Sequence, residues 1–451
     1  MDFNISLAPE AKLVIEHLEK AGYEAYLVGG AVRDALLGKK SHDSDICTNA
    51  YPEEMQKVFE GFRCIETGIK HGTLTVLTEF GAVEITTYRV DGVYSDHRRP
   101  DAVSFTRSLT EDLARRDFTI NAMAWNPKIG LADPFGGAED LKNNIIRAVG
   151  DPVLRFTEDA LRIMRALRFA ARLRSQIEET TKKAIFSLKK DLKYVAKERI
   201  REELLKTLVT DGAVEILLSY AEVFCEIIPE LAACHACVQN NPHHLYTVYE
   251  HMVRAVGMAP KDADIRMAVL LHDVAKPLKK TTDEKGIDHF RGHNQKSAEI
   301  AEKILKDLRF SHASTVRIVA WIDNHDNFRS YSETILRRRV QKIGEENMEG
   351  MLWVCRSDVL AQSDLGREEK LAVLDAFAEG FKKMQSEKPP YRLQDLAIGG
   401  KALIAMGLKG PVIGKILDVL LDEVIDNKLS NDEDTLMARV KEMIASEGNK
   451  A

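Results

Sequence analysis

The sequence predicts an α/β head followed by an all-α neck, body and tail. Three observations carry that reading. Residues 1–145 mix helix-spaced and strand-alternating segments. From about residue 150, glycine and proline thin out and a 3.6-residue periodicity dominates. Polar breaks fall at "VGDP" (149–152), "NNPHH" (240–244) and "SEKPPYR" (386–392). They divide the chain into 1–148, 149–240, 241–385 and 386–451. Four parts suit 451 residues at roughly one to two hundred residues per domain.

In chain order, "APEAKLVIEHLEKAG" carries helical apolar spacing and ends at a glycine. "EAYLVGG" is a short apolar strand running into a glycine turn. "HGTLTVLTEFGAVEITTYRV" reads as a hairpin, two alternating β-branched runs about "EFGA". Thr157, followed by Glu158 and Asp159, reads as a helix start. Beyond it Ala160, Ile163, Met164, Leu167, Ala170 and Ala171 form one apolar stripe. Arg162, Arg165 and Arg172 fall opposite that stripe, with Arg168 at its margin.

Composition narrows the class. Hydrophobic residues are 45% and charged residues 30%, ordinary for a globular protein. No apolar run of membrane-spanning length occurs and the N-terminus lacks a signal-peptide pattern. Six cysteines, mostly unpaired in spacing, suit a reducing cytosol, so the expected location is cytoplasmic. The "CHAC" of 234–237 lacks the second pair that a closed zinc site needs. The net charge of −6 hides an asymmetry: residues 141–210 hold 17 Lys+Arg against 9 Asp+Glu. A basic segment in an acidic chain can hold a polyanion, although a solvated basic face has the same composition.

Within "YLVGGAVRDALLGKKSHDSDICT" (26–48), Asp43 and Asp45 are two residues apart. On a strand both carboxylates share a face, and like charges so close call for a cation between them. Paired carboxylate oxygens suit magnesium. Two such ions can activate an attacking oxygen and stabilise a leaving pyrophosphate. Gly29 and Gly30 allow close backbone approach to phosphate, and Arg33 can fork onto phosphate oxygens. Glu84, on the hairpin, offers a third carboxylate.

"LVGGAVRDALLG", "HDSDICT" and "RRDFTINAMA" (115–124) resemble the class II nucleotidyltransferases, the tRNA nucleotidyltransferases (CCA-adding enzymes) and bacterial poly(A) polymerases. The resemblance implies a nucleotidyltransferase head, with Asp43 and Asp45 as magnesium ligands and catalytic residues. It implies triphosphate contacts at Gly30, Arg33 and one or both of Arg115 and Arg116, before Asp117. It further implies tRNA as partner, with CTP and ATP as substrates at its 3′ end.

Asp159 and Arg162 are three residues apart, a spacing equally suited to a salt bridge on a solvated helix. As a recognition pair, the carboxylate would accept from an exocyclic amine and the arginine would donate to a ring acceptor. Cytosine and adenine both present that edge; uracil and guanine do not. "EDALR" (158–162) is similar to the EDxxR element that selects CTP and ATP in class II enzymes. Arg165 and Arg168 match further nucleotide-contacting arginines.

The polar stretch "DGVYSDHRRPDAVSF" (91–105) reads as a mobile surface loop. It looks like the loop that switches CCA-adding enzymes from CTP to ATP. That leaves CCA addition and A-only addition as alternatives, with poly(A) polymerase behind them. Gly407, Gly410 and Gly414 interrupt a helical stretch whose sequence resembles the CCA-enzyme tail. A glycine turn there can hold RNA phosphate or simply join two helices.

Nine of the thirteen histidines fall within residues 235–325. Imidazoles mixed with carboxylates suit Ni2+, Mn2+, Fe2+ or Zn2+. His251, the pair His272 and Asp273, and Asp358 resemble the ligand set of HD-domain phosphohydrolases. His293 and His325 resemble the extra ligands of two-metal members. On a helix, His272 and Asp273 would lie about 100° apart, so a shared metal would sit at the helix surface. The rivals are a hydrolase whose head is an RNA-binding remnant, and a scaffold silent at both sites.

Overall fold

The computed structural model describes residues 5–39, 44–92, 103–326 and 328–448. Asp43 and the centre of the 91–105 loop lie outside the described residues. The chain divides into two compact units, Met1–Ala232 and Ala233–Ala451.

The first unit opens with α1 (Pro9–Lys20), whose buried Ala11, Val14, Ile15 and Leu18 follow the i, i+3, i+4, i+7 spacing. Next come β1 (Ala25–Val28), α2 (Gly30–Leu36), β2 (Asp45–Thr48), α3 (Pro52–Val58) and β3 (Arg63–Ile65). The expected hairpin is β4 (Thr73–Leu77) and β5 (Ala82–Thr87), antiparallel with Thr75 opposite Glu84. After β6 (Arg89–Asp91), β7 (Val103–Phe105) and α4 (Leu109–Ala114) come β8 (Ala124–Asn126), β9 (Gly130–Ala132), α5 (Gly137–Lys142) and β10 (Ile145–Ile146). Seven strands form one mixed sheet in the order β3-β4-β5-β2-β1-β8-β9. β2 pairs with β1 antiparallel and with β5 parallel, so the two motif-bearing strands lie side by side.

Beyond the sheet, helices take over, as the periodicity predicts. They are α6 (Pro152–Glu158), α7 (Leu161–Leu173), α8 (Glu179–Leu188), α9 (Lys197–Leu208), α10 (Ala213–Ser219), α11 (Ala221–Ile227) and α12 (Glu230–Ala236), with the short β11 (Gln176–Ile177) before α8. The apolar stripe of α7 is buried throughout. Its start differs from expectation. Thr157 lies inside α6, its hydroxyl bonded to the Val153 carbonyl at 2.8 Å. The chain breaks at Asp159, which is extended (φ −144°, ψ 100°), before α7 begins. Two short helices therefore stand where the sequence suggested one start.

Glu178 caps α8. Its carboxylate accepts the Thr181 N–H at 2.8 Å and the hydroxyls of Thr180 and Thr181 at 2.6 and 3.0 Å. Burial raises its pKa, but these donors win and hold it at about 2. A depressed carboxylate stabilises the fold above its unfolded value of 4.5 and loses that contribution as pH falls towards 2. Glu178→Ala is expected to lose about 1 kcal/mol at pH 7. The deficit should shrink at pH 4, as read from urea midpoints; an equal deficit at both would count against the cap.

The second unit is helical apart from one ribbon. Its helices are α13 (Val248–Met258), α14 (Ala263–Leu271), α15 (Lys276–Lys279), α16 (His293–Asp307), α17 (His312–Asn324), α18 (Glu333–Ile343), α19 (Glu345–Ala361), α20 (Arg367–Glu387), α21 (Gly400–Ala405), α22 (Val412–Ile425) and α23 (Glu433–Gly448). The ribbon pairs β12 (Thr281–Thr282) with β13 (Asp288–His289). Leu403, Leu420, Ile425, Leu436 and Val440 pack the C-terminal helices into a core of their own. Gly407 and Gly410 take positive φ (90° and 68°) in the turn between α21 and α22. Gly414 lies inside α22 and interrupts nothing, contrary to expectation, because flanking Val, Ile and Leu carry the helix through it.

Candidate nucleotide pocket and candidate metal centre

The head pocket forms where β1 ends. Gly29 sits at φ 66°, and a Cβ built there would lie 3.0 Å from an Arg116 terminal nitrogen. The positive φ calls for glycine at this turn. α2 follows at once and presents Arg33, which is 3% exposed. Its guanidinium bonds Asp34 at 2.8 Å and the Asn121 side-chain oxygen at 2.6 Å. Burial lowers the Arg33 pKa, and Asp34 opposes that shift.

Asp45 opens β2 and pairs in register with Glu84 on the parallel neighbour β5. In a parallel pair, residues in register point to the same face, so the two carboxylates are neighbours. Burial and the Asp45 charge both raise the Glu84 pKa. A carboxylate pushed up by a neighbouring carboxylate is one that a cation would stabilise.

Arg115 and Arg116 are tied from below by Asp112, fully buried, at 2.8 and 3.3 Å. Burial raises the Asp112 pKa, but the two guanidiniums win and lower it. Asp117 is likewise depressed by Arg165 and Asn121 against burial. Asn121 bridges Asp117 and Arg33, at 3.1 and 2.6 Å. Buried anions thus fix the arginines that face the pocket.

The space enclosed is about 480 Å³. Its lining includes Gly29, Gly30, Arg33, Asp45, Arg115, Arg116, Asp159, Arg162, Arg165 and Arg168. The structure therefore brings together the predicted head residues among those described, except Glu84, which flanks Asp45 on the neighbouring strand. Phe169 lies under three arginines, Arg33, Arg165 and Arg168, at 5.1, 5.5 and 4.2 Å from the ring centre. The arginine side of α7 is not a solvated face, except at Arg172, which is exposed beside Asp34. Arg162 is only 9% exposed, because Glu158 at 2.7 Å and the carbonyls of Arg155 and Arg115, both at 3.2 Å, hold it.

The bland alternative, an Asp159–Arg162 salt bridge, is not what the structure shows. Asp159 accepts a fork from Arg199 at 2.8 and 3.2 Å, plus the Leu161 N–H at 3.1 Å. Arg199, Asn121 and Asp112 were missed in the sequence. Asp112 and Asn121 stand within six residues of "RRD", the one signal that pointed near them.

In the second unit, His251 (α13), His272 and Asp273 (after α14) and Asp358 (α19) converge. His251 Nε2 lies 2.9 Å from Asp358 and 3.6 Å from Asp273. His272 Nε2 lies 3.1 Å from Asp273 and 3.6 Å from Asp358. On the other Asp273 oxygen sit His293 and His325 at 3.2 and 3.8 Å, their Nε2 atoms 3.4 Å apart. Asp273 is thus common to two clusters of metal-ligand spacing. His272 caps the C-terminus of α14 and Asp273 lies past it, so the two are not placed by a continuous helix as the sequence reading assumed.

The donors are preset. His272, His293 and His325 each turn Nδ1 to a backbone carbonyl three residues earlier, at 2.7, 2.8 and 2.6 Å. That fixes Nε2 as the inward atom. His272 Nε2 and both Asp273 oxygens are buried without a well-aligned hydrogen bond, although their neighbours are close. Lone pairs crowded and unaligned in this way fit a shared metal better than a hydrogen-bonded network. Burial lowers the His272 pKa, but Asp273 and Asp358 outweigh it and push it up to about 10. A cavity of about 360 Å³ adjoins the cluster, with Asp358 and His325 in its lining beside Lys370 and Arg329. Cys234 and Cys237 join neither cluster, and Cys234 is buried against the Val274 carbonyl.

A carboxylate-bearing mixed sheet beside an arginine-lined pocket defines a nucleotidyltransferase head, joined in this chain to an HD domain. Family models agree: the "Poly A polymerase head domain" matches residues 25–147. The "Probable RNA and SrmB- binding site of polymerase A" matches 176–234, and the "HD domain" matches 243–360. The chain belongs to the CCA-adding enzyme family. It is 34% identical over 441 residues to the CCA-adding enzyme of Levilactobacillus brevis, covering 95% of this chain and 96% of that one. Against the CCA-adding enzyme of Lactobacillus helveticus it is 54% identical over 197 residues, about half (49%) of that relative's length. The Bacillus stearothermophilus CCA-adding enzyme in complex with CTP superposes with a TM-score of 0.70 at 26% identity, over 99% of this chain and 100% of that one. Both domain types work with divalent metal ions. Among the described residues, no helix is long and apolar enough to cross a membrane.

Proposed function

We propose that the head adds or repairs the 3′-terminal CCA of tRNA, taking CTP and ATP without a nucleic-acid template and releasing pyrophosphate. The carrying observation is one pocket that joins Asp45, the Gly29–Gly30 turn and the Asp159 and Arg162 side chains. Asp43, Asp45 and Glu84 would hold magnesium, which would activate the tRNA 3′-hydroxyl and stabilise the leaving pyrophosphate. Arg33, Arg115 and Arg116 bind the triphosphate, held in place by Asp34, Asn121 and Asp112. Asp159 and Arg162 read the base edge, and Arg165 and Arg168 line the same wall. A head of 1–148, a neck of 149–240 and a tail of 386–451 divide nucleotide chemistry from tRNA holding, in a cytoplasmic enzyme.

The test uses tRNA transcripts ending before CCA and ending in CC, with labelled CTP and ATP supplied separately. CCA addition labels the first with CTP and the second with ATP. Labelling of the CC transcript alone assigns A-only addition, and runs of A beyond one assign poly(A) synthesis. Failure of both labels overturns the reading.

Base selection has its own test. Arg162→Ala should relax discrimination against UTP and GTP by about ten- to hundredfold, since a site that loses one partner leaves the other polar group unpaired. Unchanged selectivity in Arg162→Ala and Asp159→Ala would return these residues to a structural role.

A second reading is favoured by the unaligned buried donors around Asp273. The HD site, within 241–385, would hold one or two transition-metal ions (Ni2+, Mn2+, Fe2+ or Zn2+) and hydrolyse phosphate esters. His251, His272, Asp273 and Asp358 form the first ligand set; His293 and His325 complete a second with Asp273.

A further inference from the structure

We infer that His244 touches the substrate at the HD site, donating a hydrogen bond from Nδ1 to an oxygen of the bound phosphate. The inference rests on the phosphohydrolase reading of that site and adds a contact outside both ligand sets.

His244 lies in the irregular segment between α12 and α13. Its ring stands edge-on to His251, 5.3 Å between centres at 85°. His251 in turn packs on His272 at 5.4 Å. The charges that act on the His244 ring include Lys276, His251, Asp273 and Asp358, three of them in the first ligand set. Yet His244 joins neither cluster of metal-ligand spacing. It stands too far out to complete the set and near enough to reach a group held there.

Its nitrogen is uncommitted. His272, His293 and His325 each spend Nδ1 on a backbone carbonyl. The Nδ1 of His244 is buried and has no hydrogen-bond partner. A buried polar atom left in that state is costly, and a ligand that pairs with it recovers the cost. Burial, then Lys276 and His251, push the His244 pKa down to about 3, against Asp273 and Asp358. A cation bound nearby would push the same way, so the ring is neutral, with one donor and one acceptor. Phosphate oxygens accept, which selects the tautomer with the proton on Nδ1. Lys276 is already committed to Asp273 and Gln239, at 2.7 and 3.0 Å.

The segment that carries His244 is tied on both sides. The Asn241 side chain donates to the Asp288 carbonyl at 3.1 Å and accepts the His243 N–H at 3.0 Å. The His244 N–H reaches the Asn241 carbonyl at 2.9 Å. Beyond α19, Ser363 donates its N–H to the His243 carbonyl at 2.9 Å and its hydroxyl to the Pro242 carbonyl at 2.8 Å. An irregular turn fixed to the ribbon and to the end of α19 holds the ring in place beside His251, which keeps the orphaned nitrogen at the site.

The experiment uses the full chain loaded with manganese and compares wild type, His244→Phe and His244→Asn. It measures metal content, binding of inorganic phosphate by calorimetry, and KM and kcat for para-nitrophenyl phosphate. His244→Phe keeps a ring against His251 and removes both nitrogens. His244→Asn loses the ring and keeps an amide N–H near the Nδ1 position. Metal content should match wild type in both. Phosphate binding should weaken about tenfold or more in His244→Phe, with KM rising in step, and should be largely kept in His244→Asn. The reverse order, with His244→Phe binding phosphate like wild type, would make the ring a packing element and overturn the inference. Metal lost from either variant would make His244 a ligand and overturn it too. If His244→Phe does not fold, His244→Ala takes its place with the same expected loss. A wild type that holds metal and binds no phosphate overturns the inference, whereas a wild type that holds no metal overturns the HD reading beneath it.

Discussion

Asp45→Asn is expected to abolish incorporation of both CTP and ATP, by several orders of magnitude, while the protein stays folded. Asn has nearly the shape of Asp and keeps an acceptor oxygen, so β2 should still pair with β1 and β5. What disappears is a negative charge beside Glu84. A divalent ion between carboxylates supplies several kcal/mol of charge stabilisation, and each 1.36 kcal/mol is tenfold in rate. Asp43→Asn should do the same. Glu84→Gln should cost less, because Glu84 belongs to the neighbouring strand and flanks Asp45 from the side. The measurement is single-turnover incorporation over a magnesium titration, with far-ultraviolet circular dichroism as the control for folding. Near-normal incorporation by both Asn variants would place the catalytic centre elsewhere. Recovery at high magnesium in Glu84→Gln, but not in Asp45→Asn, would rank the two carboxylates as the geometry does.

Some of this site was legible in the sequence because its logic is local. A glycine pair, an arginine one turn later and carboxylates at strand spacing lie within about twenty residues. The hairpin was legible for the same reason: alternation in β4 and β5 brackets a short turn. Placing Glu84 beside Asp45 needed the sheet order, since β2 and β5 are parallel neighbours that no run of sequence reveals.

The neck shows where local reading stops. Helical spacing found the buried stripe of α7 correctly. It misplaced the start, because Thr-Glu-Asp suits a helix N-terminus wherever it occurs, and here Asp151 and Pro152 begin a helix earlier. It set Asp159 beside Arg162 from their spacing and the EDxxR resemblance, neither of which shows what else holds them. Arg199 and Glu203 look like ordinary i, i+4 surface charges in "KERIREEL". Only the packing of α9 against α7 gives them partners. Asn121 is similar: an amide eighty-eight residues from Arg33 becomes its hydrogen-bond acceptor through the fold alone.

The histidine cluster was legible through composition and order, and its shared aspartate was not. Asp273→Ala is expected to empty both metal positions at once, because Asp273 approaches His251 and His272 through one oxygen and His293 and His325 through the other. His325→Ala should empty only the second. Metal content of protein purified from metal-supplemented culture reads this directly, as about two ions per chain falling to none or to one. Hydrolysis of phosphate mono- and diesters, assayed with nickel, manganese and magnesium, should vanish in Asp273→Ala and persist in part in His325→Ala. Lys276 sharpens the test. Its ammonium lies 2.7 Å from Asp273 and 3.0 Å from Gln239, buried beside the cluster. When Asp273 is removed, that charge loses its nearest anion, so metal loss should come with lower stability. Asp273→Asn keeps the volume and an acceptor for Lys276. It should still bind no metal, with a smaller drop in unfolding temperature than Asp273→Ala. Metal retained in both variants, or hydrolysis indifferent to them, would leave the domain a helical scaffold; tRNA labelling by the head, measured in parallel, should be intact in either case.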